Sequence, residues 1–275
     1  MPNCYYESSK GEIVQLNGPT TWIDTGEGLR GNAWAYSLGS RNATGIAREA
    51  YKVSLTAWFK DEAESNRLNT VADYDMYYKT PGTIHYGDWF QRAFISGAEA
   101  SCITKGSHAE TLEVLLLDGQ WGKWNSITLW PTQDDPNVEY LDLPTDTPFD
   151  LMPPSGANSI TNNSSIPSPM RFIFYGPAVN PYILVGENRY ELNLTIPTGA
   201  YVIVDGSAWP RSITMVSASG DTVDAFSSGT RGNGEGSGSY IFEPIQPGHQ
   251  KIQWSGSFGV DVAWLTLKGA LPWGL

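Results

Sequence analysis

The sequence predicts a mainly β protein of two domains, the first of which contains one α-helix. Three observations predict this fold: short runs of alternating apolar and polar residues recur along the 275 residues, Gly and Pro interrupt them, and a stretch rich in Pro, Asn and Ser divides the chain. Such a stretch buries too little apolar area to offset its ordering entropy, so it is typical of a connection. We therefore expect domains at 1–131 and 170–275, with a connection at 132–169.

The first domain is predicted to consist of strands around a single helix. Tyr51–Phe59 alternates apolar and polar side chains, which indicates a strand with one buried face. A helix is predicted at 61–79, where Asp61 can cap the first turn and a Thr-Pro-Gly sequence ends the run. Further strands are expected at 82–95 and 111–117, the second of them central in its sheet because it is nearly all apolar. The apolar stripe of the helix has helical spacing and consists of Leu68, Val71, Ala72 and Met76.

The second domain is predicted to contain strands and turns only. Over 171–205, short β-type runs alternate with turn residues, and Gly186 and Gly199 suit the turns because glycine accepts positive φ. A shorter strand is expected at 200–204. No helical period follows, so we expect a β-sandwich of the jelly-roll or galectin-like kind. A strand with one buried face is predicted from the alternating apolar residues Tyr190, Leu192, Leu194 and Ile196.

Composition and charge argue against several function classes. The formal net charge of −12 disfavours binding to a phosphate backbone, whereas like charge would let DNA slide past without sticking. The chain begins without a secretory signal, so we expect synthesis in a cytosol. No apolar run approaches the roughly 20 residues that span a bilayer, and no membrane insertion is expected. Cys4 and Cys102 are expected to be free reduced thiols.

No residue pattern indicates catalysis, a metal or a cofactor, and we expect none of the three. The glycine-rich segment 229–238 has neither a lysine nor a following helix, which favours a flexible rim loop over a phosphate site. The histidines lack the spacing of metal ligands; they are His85, His108 and His249. The carboxylates of the connection are expected to be a solvated charge run rather than a hydrolase pair; they are Asp134, Asp135, Asp146 and Asp150.

Large aromatic side chains are concentrated in the second domain. They fit three roles: a face on which sugars stack, the packing of a core, or a subunit interface. Core packing and a subunit interface explain these aromatics at least as well as a sugar-stacking face. The candidate surface or interface aromatics are Trp209, Trp254, Tyr182 and Tyr201.

Several segments together resemble a known family. In the first half they are YYESSKGEIVQLNGP, DTGEGLRGNAWAYSLGSRNATGIAREAYKVSLTAWF, GDWFQRAFISG and LEVLLLDGQW. In the second half they are FIFYGPAVNPYILVG, YELNLTIPTGAYVIVD, GNGEGSGSYIFEPIQPG and WSGSFGVDV. In order and coverage they resemble the distal tail (Dit-like) proteins of siphophages and of prophages in Gram-positive hosts.

The resemblance implies a structural role. Distal tail proteins form a ring, commonly a hexamer, at the tip of the tail tube. Their N-terminal halves resemble tube subunits, which here implies a β-barrel or sandwich with one helix at 1–131. Their C-terminal halves project outward as galectin-like sandwiches, here 170–275. The ring joins the tube to a tail-associated lysin or spike protein and to the receptor-binding apparatus.

Three hypotheses about function follow. The leading one is a non-enzymatic tail-tip protein of the virion that forms a ring with itself, contacts the tail tube and receptor-binding proteins, and lets DNA pass through its channel without specific binding. The alternative is a carbohydrate-binding module that recognises host surface polysaccharide through the aromatics of the second domain. The third is a glycan-cleaving enzyme, which only the acidic composition and the predicted sandwich favour.

Overall fold

The computed structural model describes residues 3–24, 26–31, 34–104, 106–131, 158–208 and 210–272. The chain divides into two compact units. The first unit is Met1–Lys123 with Leu267–Leu275, and the second is Trp124–Thr266. The chain passes between them within a strand both times. No helix in the described ranges has the length and apolar character needed to cross a bilayer.

The described residues of the first unit form one α-helix and ten strands, and the last strand continues into the second unit. The strands are β1 (Cys4–Glu7), β2 (Ile13–Asn17), β3 (Thr21–Ile23), β4 (Ala35–Leu38), β5 (Ala43–Ala47), β6 (Tyr51–Phe59), β7 (Gly82–Tyr86), β8 (Trp89–Thr104), β9 (Ser107–Leu116) and β10 (Trp121–Leu129), and the helix is α1 (Glu62–Tyr78).

Antiparallel pairing joins most of these strands in the order β3-β6-β9-β8-β7-β1-β2. The predicted strand at Tyr51–Phe59 is confirmed, and the apolar strand β9 lies between β6 and β8 as its sequence predicts. A turn of 3₁₀ helix, Glu27–Arg30, buries Leu29. Strand β10 pairs with β8, and β4 and β5 pair with each other as a separate two-stranded sheet.

The helix α1 confirms its predicted position and corrects one residue of its buried stripe. Asp61 accepts a hydrogen bond from the Ala63 N–H (2.9 Å), and the helix ends at Lys79, whose φ is 56°. Met76, predicted to be buried, is exposed, whereas Asp75 beside it is fully buried. The reason is a polar contact: the Asp75 carboxylate accepts hydrogen bonds from the Tyr6 hydroxyl (2.7 Å) and from Ser9.

The part of the second unit that the structure describes contains eleven strands. They are β11 (Asn158–Asn162), β12 (Met170–Tyr175), β13 (Ala178–Val179), β14 (Tyr182–Val185), β15 (Asn188–Glu191), β16 (Thr195–Ile196), β17 (Tyr201–Asp205), β18 (Ser212–Val216), β19 (Thr222–Asp224), β20 (Gly248–Trp254) and β21 (Val260–Lys268), whose last two residues belong to the first unit.

Nine of these strands form a β-sandwich, and β13 and β16 pair with each other as a separate two-stranded sheet. One sheet has the order β19-β18-β17-β12-β21, and the other has the order β11-β20-β14-β15. Both sheets contribute to one apolar core, where the Phe172 ring of one sheet lies 4.6 Å from the Tyr190 ring of the other, centroid to centroid. Among the described residues of this unit the helical structure is the 3₁₀ turn Phe226–Ser228. The galectin-like character of this sandwich stays a prediction.

The segment from Tyr190 to Ile196 is not the single strand that the sequence predicts. Three of its four alternating apolar side chains are nevertheless buried, as predicted. Tyr190, Leu192 and Ile196 are buried, but the segment is divided between β15 and β16, which pair with different strands. Between them the Leu192 N–H donates to the Pro181 carbonyl (3.0 Å) and the Asn193 N–H to the Ser228 carbonyl (2.7 Å). These partners lie on different segments, so one continuous ladder cannot form.

The predicted connection differs from the structure at its C-terminal end. Residues 158–162 form β11, which pairs with β20 and buries Ile160. Residues 132–157, with the four carboxylates of the predicted charge run, lie outside the described residues. The assignment of 1–131 and 170–275 to a tube-like and a galectin-like domain stays a prediction.

Candidate interaction surfaces

The predicted aromatics of the second unit do not share one face. Trp254 on β20 lies in the core with 8% of its surface exposed, and its indole N–H donates to the Phe258 carbonyl (3.2 Å), so the structure favours core packing for this side chain. Tyr182 and Tyr201 are half-buried and lie on different sheets of the sandwich. Trp209 lies outside the described residues.

The two half-buried tyrosines have different surroundings. The Arg189 guanidinium lies over the Tyr182 ring, 3.7 Å from its centroid, and occupies one face of it. Tyr201 neighbours Tyr175 on the adjacent strand, with ring centroids 6.1 Å apart. A sugar that stacks on an aromatic needs a free ring face, so Tyr201 has the more open surroundings of the two.

Partly buried polar side chains of the second unit connect neighbouring strands. Arg171 on β12 donates two hydrogen bonds to one carboxylate oxygen of Asp205 on β17, at 3.0 and 2.6 Å. Burial raises the pKa of Asp205, but hydrogen bonds from Ser207 and Arg171 outweigh it and hold the pKa below its usual value. The Tyr175 hydroxyl donates to Asp261 (2.7 Å), and burial with this carboxylate raises the pKa of Tyr175 to about 12.

A serine, a histidine and a carboxylate meet in the first unit without forming a nucleophilic site. The Ser65 hydroxyl donates to Glu110 Oε1 (2.5 Å), and His108 Nε2 lies 3.3 Å from the same oxygen. A serine nucleophile needs a base that accepts its proton and a third group that orients the base. Here the carboxylate lies between the other two, so the cluster holds α1 against β9. Across the described ranges no three acidic, histidine or cysteine side chains are grouped to hold a metal ion.

An open groove lies along the edge of the second unit, beside β18 and β19. Its volume is about 460 Å³. The Arg231 guanidinium lies 4.1 Å from the centroid of the Phe226 ring, and the Asp224 carboxylate accepts a hydrogen bond from the Phe226 N–H (2.9 Å). The groove is lined by Pro210, Arg211, Ser212, Thr214, Thr222, Val223, Asp224 and Phe226.

The glycine-rich segment 229–238 forms turns, as its sequence predicts for a loop. Gly232, Gly234, Gly236 and Gly238 all have positive φ. The Gly236 N–H donates to the Glu243 carboxylate (2.8 Å). An amide that already has an acidic partner is a poor contact for a phosphate.

The β4–β5 hairpin, residues 34–48, exposes several large apolar side chains of the first unit. All five residues of β5 are exposed, and so are three of the four residues of β4. The exposed large side chains are Trp34 (50% exposed), Tyr36 (58%), Leu38 (77%) and Ile46 (61%).

Local sequence explains the shape of this hairpin. The Gly39 N–H donates to the Asn42 carbonyl (2.8 Å), which closes a two-residue turn with Arg41 at its tip. Gly45, with a φ of 61°, supplies the extra residue of a β-bulge, so that Gly45 and Ile46 together lie opposite Tyr36. Tyr36 and Leu38 lie on one face of β4 because successive strand residues alternate.

The sequence around this hairpin has a recognisable strand-and-turn pattern. Apolar Trp34, Tyr36 and Leu38 alternate with small residues, and a short polar turn with Arg41 follows. The alternation predicts a strand, but the same alternation occurs in buried strands. Pattern alone therefore does not show that these side chains are exposed.

Comparison with known proteins shows the fold. No family model matches the chain, and no curated protein matches it. Among solved structures it is similar to the SPP1 Dit protein, described as a paradigm of the hub adsorption apparatus in phages that infect Gram-positive hosts, with a TM-score of 0.52 and 8% identity over 98% of this chain and 99% of that one. The chain has a Dit-like fold.

Two baseplate chains show the same likeness. They belong to the phage P2 baseplate in its activated conformation, one with Ca and one with Sr, and each has a TM-score of 0.58 and 8% identity. The match covers 98% of this chain in both cases, and 99% and 100% of the two baseplate chains. The Dit-like fold therefore extends over both units, and a mainly β chain with one helix is what the sequence predicts.

Proposed function

We propose that this protein is a structural component of a phage tail tip, a distal tail protein whose copies form a ring. The observation that supports it is the end-to-end likeness to the SPP1 Dit protein, over 98% of this chain and 99% of that one. A match limited to one sandwich would favour only a shared module, since sandwiches occur in many unrelated proteins. A match over both units favours a shared role in assembly.

The ring is proposed to be a hexamer that surrounds a channel for DNA. Identical subunits close a ring when one surface of each copy binds a different surface of the next. The net charge of −12 suits such a channel, because like charge removes the attraction that would hold DNA as it passes. No specific contact with DNA is required.

The proposed partners are the tail tube protein on one side and a tail-associated lysin or spike and receptor-binding proteins on the other. The protein then belongs to the virion, and copies assemble in the cytoplasm of the infected host. We propose no enzymatic activity. The polar clusters of the described residues support this, because Ser65, Asp205 and Asp261 are each engaged in contacts that hold strands or the helix together.

Electron microscopy of the purified full-length chain tests this proposal. We expect ring-shaped particles with six-fold symmetry and a central opening, and a solution mass six times the 30.1 kDa of one chain. Mass spectrometry of purified virions would place the chain in the particle. A chain that stays at 30.1 kDa at every concentration, and is missing from virions, would contradict the role.

Carbohydrate recognition is a second candidate, and the groove beside β18 and β19 favours it. Hydroxyl groups, a guanidinium and a carboxylate line this groove and can hydrogen-bond a sugar, and the half-exposed Phe226 ring beside them has the Arg231 guanidinium over one face. Binding of purified host cell-wall polysaccharide to the full chain tests it. We expect Phe226→Ala to abolish binding if the groove is the site, with Tyr201→Ala as a comparison at the predicted aromatic. Equal binding by both variants and the parent would exclude these surfaces.

A further inference from the structure

The β4–β5 hairpin lacks the cover that the other strands of its unit have. The described strands of the first unit apart from β4 and β5 all join the larger sheet, whereas these two pair with each other. An isolated two-stranded hairpin is marginally stable in water and needs a third strand or a packed face. Tyr36, Leu38 and Ile46 leave their side chains in solvent instead.

The chemistry of the exposed side chains is that of an interface centre. Exposed apolar patches on soluble proteins mark surfaces that bind partners, and the centres of such surfaces are enriched in Trp, Tyr and Arg. This hairpin presents Trp34 and Tyr36, with Arg41 at its tip. The Arg48 guanidinium lies 3.8 Å from the centroid of the Trp34 ring, which fixes the orientation of the indole.

The charge of the hairpin indicates what covers it. Residues 34–48 contain Arg41 and Arg48 and no carboxylate, whereas the whole chain has 29 acidic and 17 basic residues. The excess of negative charge therefore lies entirely outside the hairpin. Outside the hairpin, a second copy of this chain has 29 acidic and 15 basic residues, so its excess of carboxylates favours an encounter with the two arginines.

We propose that the β4–β5 hairpin docks on a neighbouring copy of this chain and is a contact between successive subunits of the ring. The proposal rests on the ring proposed above and names one of its surfaces. The hairpin of each copy contacts a surface of the next copy other than that copy's own hairpin. Such head-to-tail contacts can close a ring. Burial of Tyr36, Leu38 and Ile46 supplies the apolar part of the contact, and Arg41 supplies its polar tip.

Sedimentation of the full-length chain across a dilution series tests the proposal. The parent is expected to assemble. The double variant Tyr36→Ser, Ile46→Ser is expected to raise the dissociation constant of assembly about 100-fold or more, because each of the two substitutions removes an apolar side chain from the contact. Arg41→Glu is expected to weaken assembly about 10-fold, and Arg41→Lys is expected to keep it. Near-ultraviolet circular dichroism checks that every variant stays folded.

Ile166→Ser is the matched control, because Ile166 is 48% exposed in the second unit and undergoes the same change as Ile46. It is expected to assemble like the parent. If the parent forms a ring and the hairpin variants form the same ring with equal affinity, the hairpin contact is wrong and the proposed function stands. If the parent stays monomeric, both fail. Binding to vesicles of anionic phospholipid that depends on the hairpin, without self-association, would also overturn the proposal in favour of a membrane partner.

Discussion

Two hairpins of this protein close on two-residue turns and differ in where their apolar side chains lie. In the β14–β15 hairpin, Val185 pairs with Asn188 across the turn, and the buried side chains include Ile183 and Tyr190. In the β4–β5 hairpin the corresponding large side chains are in solvent. The difference comes from the third strand: β20 pairs with β14, and the opposite sheet covers the face. A third strand and a facing sheet thus decide whether an alternating hairpin buries its apolar side chains within the chain.

Removal of the largest side chain of the packed hairpin should have the largest effect. Tyr190 is 1% exposed, packs on Phe172 and donates its hydroxyl to the Glu243 carbonyl (2.9 Å). We expect Tyr190→Ala to lower the free energy of unfolding by about 3–5 kcal/mol, because it leaves a cavity. Urea unfolding measures this. Tyr36→Ala is the matched change in the other hairpin, and equal losses from the two would remove the distinction between them.

The asparagines that follow the two turns provide a second pair. Asn188 donates to the Tyr240 carbonyl (3.0 Å) and accepts from the Tyr240 N–H (3.1 Å), so Asn188→Ala leaves two backbone groups without this partner. We expect a loss of about 2 kcal/mol, the cost of unpaired buried polar groups. Asn42→Ala, at the corresponding exposed position, is expected to change the stability by less than about 0.5 kcal/mol. Thermal unfolding compares them, and a larger loss at Asn42 would contradict the expected order.

Alkaline pH should weaken the packed hairpin. Burial, with a smaller contribution from Glu243, raises the pKa of Tyr190 above its ordinary value of 10.0. Stability is therefore fully present below pH 10 and falls as the pH rises, because the unfolded chain ionises this phenol before the folded chain does. Tyr190→Phe loses one hydrogen bond, about 1 kcal/mol, and is free of this pH dependence. Urea unfolding should show that the parent and Tyr190→Phe differ less in their free energy of unfolding above pH 10 than below it. A difference that does not change with pH would contradict a buried neutral phenol.

Strong local patterns allowed the sequence to predict individual elements. The strand β6 and the helix α1 lie where alternation and helical spacing put them, and Asp61 caps the helix as expected. The errors arise where long-range partners decide the outcome. Helical spacing predicts a buried Met76, but the side chain that is buried is its neighbour Asp75. The reason is that the hydroxyl of Tyr6, a residue distant in sequence, donates a hydrogen bond to the Asp75 carboxylate. No local pattern carries that information.

The candidate surfaces were harder to predict than the fold. Trp254 was a candidate surface residue on aromatic content, but it lies in the core. Composition does not separate buried rings from exposed ones. The exposed hairpin has the same period of two as a buried strand. Its distinguishing feature in the sequence is charge, since Arg41 and Arg48 occur there without any carboxylate in an acidic chain.

The smallest effect is expected where the hairpin β4–β5 alone is changed and the chain is kept dilute. Below the concentration of assembly, Ile46→Ser removes a side chain that is 61% exposed and contacts mainly water, so the stability of the monomer should change by no more than about 0.5 kcal/mol. Ile183→Ser, in the packed hairpin, should cost several times as much, because Ile183 is fully buried. Urea unfolding at low concentration measures both. A loss of about 2 kcal/mol at Ile46 would show that the chain covers this hairpin itself, and the contrast between the two hairpins would then be one of degree.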